Sequence, residues 1–383
     1  MITSSIYTNI KTTLLLAVVL FMSTNVLRAQ EHHETTTTTS TSAVSEKEGE
    51  ATTTEHATEE HATEEEGAFN VKEVAMHHIA DANQWHIMGD SGIHIPLPVM
   101  ILNRTTGEWV VGLSSMFHEE EEVKGFVMHH DRIVPANGTD AYLDLSITKN
   151  VFTMLLASFI LLFVFISVAK ACQNNKGKAP KGLQNIIEPL VIFVKDEIVQ
   201  PNLGKNTDKF LPYFLTAFFF IWINNILGLI PLMPGGANVM GNIAVTLVLS
   251  VFTLLVVNGS AKKDYWKHIF MPPAPVWLWP ILIPIELIGV ISKPFALMIR
   301  LFANMSAGHI IVISLTSLIF VFGKAGMSIA GSATGAAIAV PFVLFISIIE
   351  LLVAFLQAFI FTMLSAVFLG LALEEHHHEE HAH

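Results

Sequence analysis

Ser292–His309 reads SKPFALMIRLFANMSAGH, and one residue within it decides how the whole chain is read. Arg300 stands in the middle of a long apolar run. A charge at that depth of a membrane helix costs roughly 2.5–3.5 kcal/mol on insertion scales. A purely structural helix has no use for it, so Arg300 is the first candidate functional residue. On a wheel of about 100° per residue, Lys293 lies about 20° from Arg300 and Asn304 about 40°. Ala307, Ala296 and Ala303 lie about 20°, 40° and 60° to the other side. Small residues on such a face let another helix come close. Arginine stays protonated under all relevant conditions. It can attract an anion and repel cations, but it cannot relay a proton.

The surroundings are those of a polytopic membrane protein. Of 383 residues, 52% are hydrophobic and 14% charged, and the mean hydropathy is +0.53. The net charge of −12 is local, because residues 31–66 hold eleven Glu against one Lys. Cys172 is the single cysteine, which excludes an intramolecular disulfide. No Gly-rich phosphate loop, zinc-finger spacing or nucleophile elbow is present. We therefore expect no metal, no cofactor and no nucleic-acid partner.

Taken in order, residues 1–30 are expected to be a signal peptide. Lys11 precedes the apolar run Leu14–Met22, and Ala29 offers a small residue for cleavage. Residues 31–67 are a Glu/Thr/His-rich tail with too few apolar residues to bury a core, so we expect disorder. Residues 68–145 mix short alternating pieces with Gly and Pro and are expected to form a small extracytoplasmic region with some strand. His77, His78, His86 and His94 within it read as ordinary histidines. Residues 146–373 form the membrane domain, and 374–383 a charged His/Glu-rich tail.

With about 20 apolar residues required per crossing, five spans are expected, at about 150–170, 209–231, 242–258, 280–322 and 337–372. The stretches 170–209 and 259–293 carry eleven lysines, whereas the loops 232–241 and 323–336 carry only Lys324. The lysine-rich loops belong in the cytoplasm. This puts the N-terminal part outside and the C-terminus inside, in agreement with an exported signal. Leu183–Val199 is apolar on one side, charged on the other and too polar to span; an amphipathic helix on the cytoplasmic surface is expected. Asn224 and Asn225 in the second span read as interhelical hydrogen-bonding amides, worth about 0.6 kcal/mol on average.

The fifth span adds Glu350 and Gln357, seven residues apart and so on nearly one face. An acid buried in a membrane is a functional hypothesis by default. The fourth and fifth spans are joined by a short loop and must be antiparallel. Equal sums of residue number then mark equal levels: Gln357 falls level with Arg300, and Glu350 level with His309. His and Glu relay protons, so a titratable His309–Glu350 pair is expected outward of a fixed positive barrier. The other reading is a buried pair that locks two helices. On an ideal wheel His309 points about 180° from Arg300, so the pair requires helix tilt or curvature.

These residues resemble a known family. SKPFALMIRLFANMSAGH, NNILGLIP and LLVAFLQAFIFTMLS are similar to subunit a of the F-type ATP synthase, and the similarity runs over roughly residues 145–373. The resemblance implies an all-α polytopic fold of five transmembrane helices plus an amphipathic cytoplasmic-surface helix. The long, tilted fourth and fifth helices would pack against a rotor ring. In that family the arginine faces the ring carboxylate between two offset half-channels, a role that falls to Arg300. By the same resemblance Asn304 lines the channel, Gln357 lies near the arginine, and Glu286 is the acid earlier on that helix. The usual pattern has Glu after the Ala-Gly and His seven residues before the Gln; here His309 and Glu350 hold those places, exchanged. The implied partners are c-ring subunits, b-type peripheral stalk subunits, other ATP synthase subunits and the lipid bilayer. The implied location is a bacterial inner membrane, and the chain makes no ATP alone. The coupling ion is expected to be the proton, with sodium as the alternative.

Overall fold

Thr148 opens the first membrane helix, its hydroxyl accepting the backbone N–H of Val151 at 3.4 Å. Capping of this kind satisfies one of the orphan amides of a helix start. The computed structural model describes residues 80–86, 94–117, 122–129, 132–136, 142–175, 177–230, 236–323 and 328–374. The expected signal peptide, the tail of 31–67, His77, His78 and residues 375–383 lie outside the described residues.

Among the described residues, seven strands precede that helix: β1 (Gln84–His86), β2 (His94–Pro96), β3 (Pro98–Asn103), β4 (Trp109–Leu113), β5 (Phe126–His129), β6 (Arg132–Pro135) and β7 (Tyr142–Asp144). They pair as β1–β2, β4–β3–β7 and β5–β6, all antiparallel. Alternation along β3 and β4 buries Val99, Ile101 and Val110 with Phe117, Phe126, Met128 and Ile133. The opposite face leaves Met100, Trp109, Val111 and Leu113 exposed. Pairing continues past β7, with Leu145 N–H bonding Met100 O and Ile147 N–H bonding Pro98 O. The sheet thus runs directly into the first helix.

The helices are α1 (Lys149–Asn174), α2 (Leu183–Phe193), α3 (Gln200–Leu203), α4 (Thr207–Leu229), α5 (Ile243–Ser260), α6 (Lys263–Phe270), α7 (Trp279–Phe322) and α8 (Ile329–Leu373). Among the described residues, five helical runs are long and apolar enough to cross a membrane. The protein is a mostly helical, multi-pass membrane protein. Helix α4 is its centre, with Phe214, Phe218, Phe219 and Phe220 fully buried. Phe218 meets Phe219 and Phe355 edge-on at 5.2 and 5.7 Å. Each such aromatic pair contributes about 0.5–1.5 kcal/mol beyond area burial.

The expected helix at Leu183–Val199 is present: α2 continues through a π-helical stretch, Val194–Val199, into α3, and Gly204, at φ +50°, separates this run from α4. Part of its apolar side packs on the protein, with Val194, Ile198 and Val199 buried and Phe193 against Phe355 and Phe359 of α8, while Leu183, Ile186 and Ile192 stay exposed. One expectation needs correction, since the last helix begins earlier than 337. Ser328 caps it by accepting Gly331 N–H. Its first two turns are Gly-, Ala- and Ser-rich and carry little hydropathy. They pack closely: a Cβ at Gly335 would lie 3.0 Å from Ile319 Cα.

Helices α7 and α8 have 44 and 45 residues, about 66 Å each at 1.5 Å per residue. That is twice the hydrocarbon thickness of about 30 Å. They form the most extensive helix pair in the molecule. Only 11% of each one's most apolar window is buried within the chain, against 78% for the run containing α4. The hairpin presents its outer face to something outside this chain.

Candidate site on the long helical hairpin

Arg300 sits midway along α7 and is exposed. So are Ala296, Ala303, Asn304 and Ala307 around it. The opposite side of the same helix is buried through Pro294, Leu297, Met298, Leu301 and Met305. The sequence puts apolar residues on the side facing α5 and α8, and Arg300 with small residues on the side facing away, where partly exposed Lys293 lies two turns earlier.

Gln357 lies in α8 and is buried beside Ala354 and Ala358. Its side chain belongs to the interior, whereas Arg300 points outward. Glu286 is partly exposed, two turns before Lys293 on the same helix. Tyr265 of α6 lies near it: burial, and secondarily the Glu286 carboxylate, raise the phenol above its ordinary value. Tyr265 is therefore a neutral O–H donor.

His309 and Glu350 do not form the direct pair expected from the sequence. His309 Nε2 lies 3.2 Å from the carbonyl oxygen of Gly228, in the last turn of α4. A carbonyl only accepts, so Nε2 carries the proton and donates. Nine residues from Arg300 turn His309 about 180° around α7, and that direction leads to α4. Curvature does not bring it back. A Cβ at Gly228 would stand in ordinary contact with His309, 3.6 Å from Cε1, and would be tight only against Ala237 O, at 3.3 Å. Glu350 instead lies over Gly308, the residue beside His309, with its carboxylate where a side chain at 308 would stand. The two titratable groups share a level of the hairpin but have different contacts.

Other polar groups lie between α4, α7 and α8. Asn225 Nδ2 donates to Ala354 O across to α8 at 3.3 Å, one turn from Glu350. Asn224 bonds within its own helix, to Phe220 O, so only one of the two amides links helices. Ser306 Oγ donates to Gly241 O at 3.3 Å. His309 Nδ1, Asn224 Oδ1 and Asn225 Oδ1 are buried without a protein partner. Such atoms are commonly met by ordered water. Gly308 was passed over in the sequence; it shapes the site by lacking a side chain, and only its neighbour His309 marked the spot.

The family of the ATP synthase A chain matches residues 151–370, which include every helix of this site. The chain belongs to the ATP synthase subunit a family. ATP synthase subunit a 2 of Chlorobaculum tepidum is 48% identical over 237 residues, covering 60% of this chain and 64% of that protein. ATP synthase subunit a of Chloroherpeton thalassium is 44% identical over 248 residues, covering 63% and 71%. The Myxococcus xanthus subunit a is 37% identical over 320 residues, covering 80% and 89%. Residues 74–152, which hold the strands, match a separate domain of unknown function. Within the subunit a family assignment, the matched region begins at α1 and ends three residues before the end of α8.

Proposed function

We propose that this chain is the stator subunit of an ATP synthase membrane sector, across which proton movement turns a ring of rotor subunits. The observation that carries the reading is Arg300, an exposed cation midway along an apolar helix, on an alanine-lined face of a hairpin whose outer side is uncovered. A permanent charge there needs a carboxylate, and the small residues leave room for the helix that would bring one. The rotor subunits supply that helix, and the other ATP synthase subunits, including a peripheral stalk, complete the assembly. Arg300 blocks direct passage between two offset aqueous half-channels, so a proton crosses only by riding the ring. Each proton gains roughly 2.3 kcal/mol per 100 mV.

The outer half-channel runs past His309 and Glu350, with Asn225 and the partnerless amide and imidazole atoms as water contacts. Asn304 accompanies the arginine on its exposed face, Gln357 stands at its level inside the hairpin, and Glu286 lies on the inner side. The proton is the coupling ion, since two titratable groups stand on the path; sodium would need neither. The test is Arg300→Ala in the assembled complex. Coupled ATP synthesis should vanish while the subunit remains inserted, and near-normal synthesis would refute the reading. Proton against sodium dependence of ATP-driven transport in the reconstituted complex identifies the ion.

A further inference from the structure

We propose that Asn150 and Thr153 of α1, with Asn238 of the loop 236–242, hold the water through which protons reach His309 from the outside, directly beneath the strand domain. The inference rests on the proton pathway proposed above and names its entrance. Asn150, Thr153 and Asn238 are only 4%, 0% and 3% exposed. Each has a polar atom that no protein group meets: Asn150 Oδ1, Thr153 Oγ1 and Asn238 Nδ2. Thr153 differs from other buried hydroxyls of the membrane helices. Ser158 bonds back to Met154 O, Thr216 to Pro212 O and Ser250 to Thr246 O, whereas Thr153 makes no such bond.

These residues join the strand domain to His309. Lys149 N–H bonds Ala82 O at 3.0 Å and Asn150 N–H bonds Asp81 Oδ1 at 3.2 Å, so the strand domain is seated on the first turn of α1. On the wheel Lys149, Asn150 and Thr153 fall within about 100° of one another. Lys149 lies within electrostatic reach of His309, so that side of α1 looks toward the imidazole. Asn238 stands beside the same spot: its neighbour Ala237 lies against Gly228, whose carbonyl His309 bonds.

Phe165 of α1 packs on Phe219 of α4 with ring centres 5.0 Å apart, which sets the register of these antiparallel helices. Thr153 then stands about 4.5 Å outward of Gly228 along the axes, Asn150 about 9 Å outward, and Asn225 about 4.5 Å inward. Unmet polar atoms thus recur at axial steps of about 4.5 Å, the span of one water bonded on both sides at about 2.8 Å. Buried polar atoms without a protein partner are commonly met by such water. Asn150 Oδ1, Thr153 Oγ1, His309 Nδ1 and Asn225 Oδ1 all accept hydrogen bonds. A hydrated proton only donates, so the row suits it and does not suit an anion. Lys149 on the same side disfavours a resident metal cation.

The test uses the assembled complex in sealed vesicles, with Cys172→Ser removing the single cysteine of this chain. Silver ion, small enough to follow water, is added from the outer side. Blocked thiols are those that escape maleimide after unfolding, read by mass spectrometry of this subunit. Thr153→Cys and Asn225→Cys should both be blocked, and Val168→Cys, buried further along α1, should not. Thr153→Val should lower passive proton flux about fivefold, the effect of losing one hydrogen bond, and Thr153→Ser should retain it. A blocked Asn225→Cys beside an unblocked Thr153→Cys would overturn the proposal and leave the proton pathway standing, since water would reach His309 by another route. Wild-type flux in Thr153→Val would overturn it as well. If neither thiol were blocked, the outer half-channel itself would be refuted, and the proposal with it.

Discussion

The carboxylate of Glu350 on α8 occupies the space over Gly308 on α7 that any side chain at position 308 would fill. The contact puts the acid one residue from His309 along α7.

Gly308→Val should therefore displace the carboxylate. Overpacking of this kind costs about 1–3 kcal/mol. The expected result is a complex that still assembles but conducts protons slowly. Passive proton flux through vesicles stripped of the catalytic sector measures it. Flux equal to wild type would show that the position of Glu350 is immaterial.

His309 offers a sharper separation of roles. Gly228 O belongs to the last turn of α4, where carbonyls have no partner within the helix. His309→Leu leaves that carbonyl unpaired, at a cost of about 1–3 kcal/mol, and removes a titratable group. His309→Gln retains a donor for the carbonyl but cannot titrate. We expect His309→Leu to lower both thermal stability and proton flux, and His309→Gln to lower flux alone. Thermal unfolding of the complex and flux in vesicles, measured on both variants, distinguish the two roles. Normal flux in His309→Gln would make the histidine a helix tie and nothing more.

How much of this could be read in the sequence depended on the kind of signal. Arg300, Glu350 and His309 were legible because a charge in an apolar run is conspicuous whatever its neighbours do. Their levels along the hairpin were legible too, since an antiparallel pair with a short loop leaves little choice of register. Direction around the helix was read but set aside: the wheel pointed His309 away from Arg300, and the structure follows the wheel. What the sequence hid were contacts made by absence. Gly308 looks like an interruption, yet the Glu350 carboxylate from α8 stands where its side chain would be. The start of α8 was hidden for a related reason, as its Gly, Ala and Ser residues pack tightly without being hydrophobic. The apolar stripe of α2 was visible, but nothing in its periodicity says whether it faces lipid or protein.

Asn225 reaches across to Ala354 O, and its neighbour Asn224 does not leave its own helix. Asn225→Leu should thus destabilise the α4–α8 contact by about 0.6 kcal/mol, the average for interhelical hydrogen bonds in membranes. Asn224→Leu should cost less. Thermal unfolding of the purified complex compares the two. A larger loss from Asn224 would reverse the assignment.

Glu350→Gln isolates titration from shape. The amide fits the space over Gly308 and keeps hydrogen-bonding capacity, so the hairpin should assemble normally and Arg300 should stay where it is. What is lost is the ability to take up and release a proton between α7 and α8. Proton flux should fall, and its dependence on pH should change, because one of the two titrating groups on the outer path is gone while His309 remains. The measurement is passive flux across a pH series, wild type against Glu350→Gln, with ATP hydrolysis by the attached catalytic sector as a check on assembly. Flux and pH profile both unchanged would reduce Glu350 to a packing residue. A fall in flux with an unchanged profile would assign it to hydration of the path, with His309 as the group that titrates.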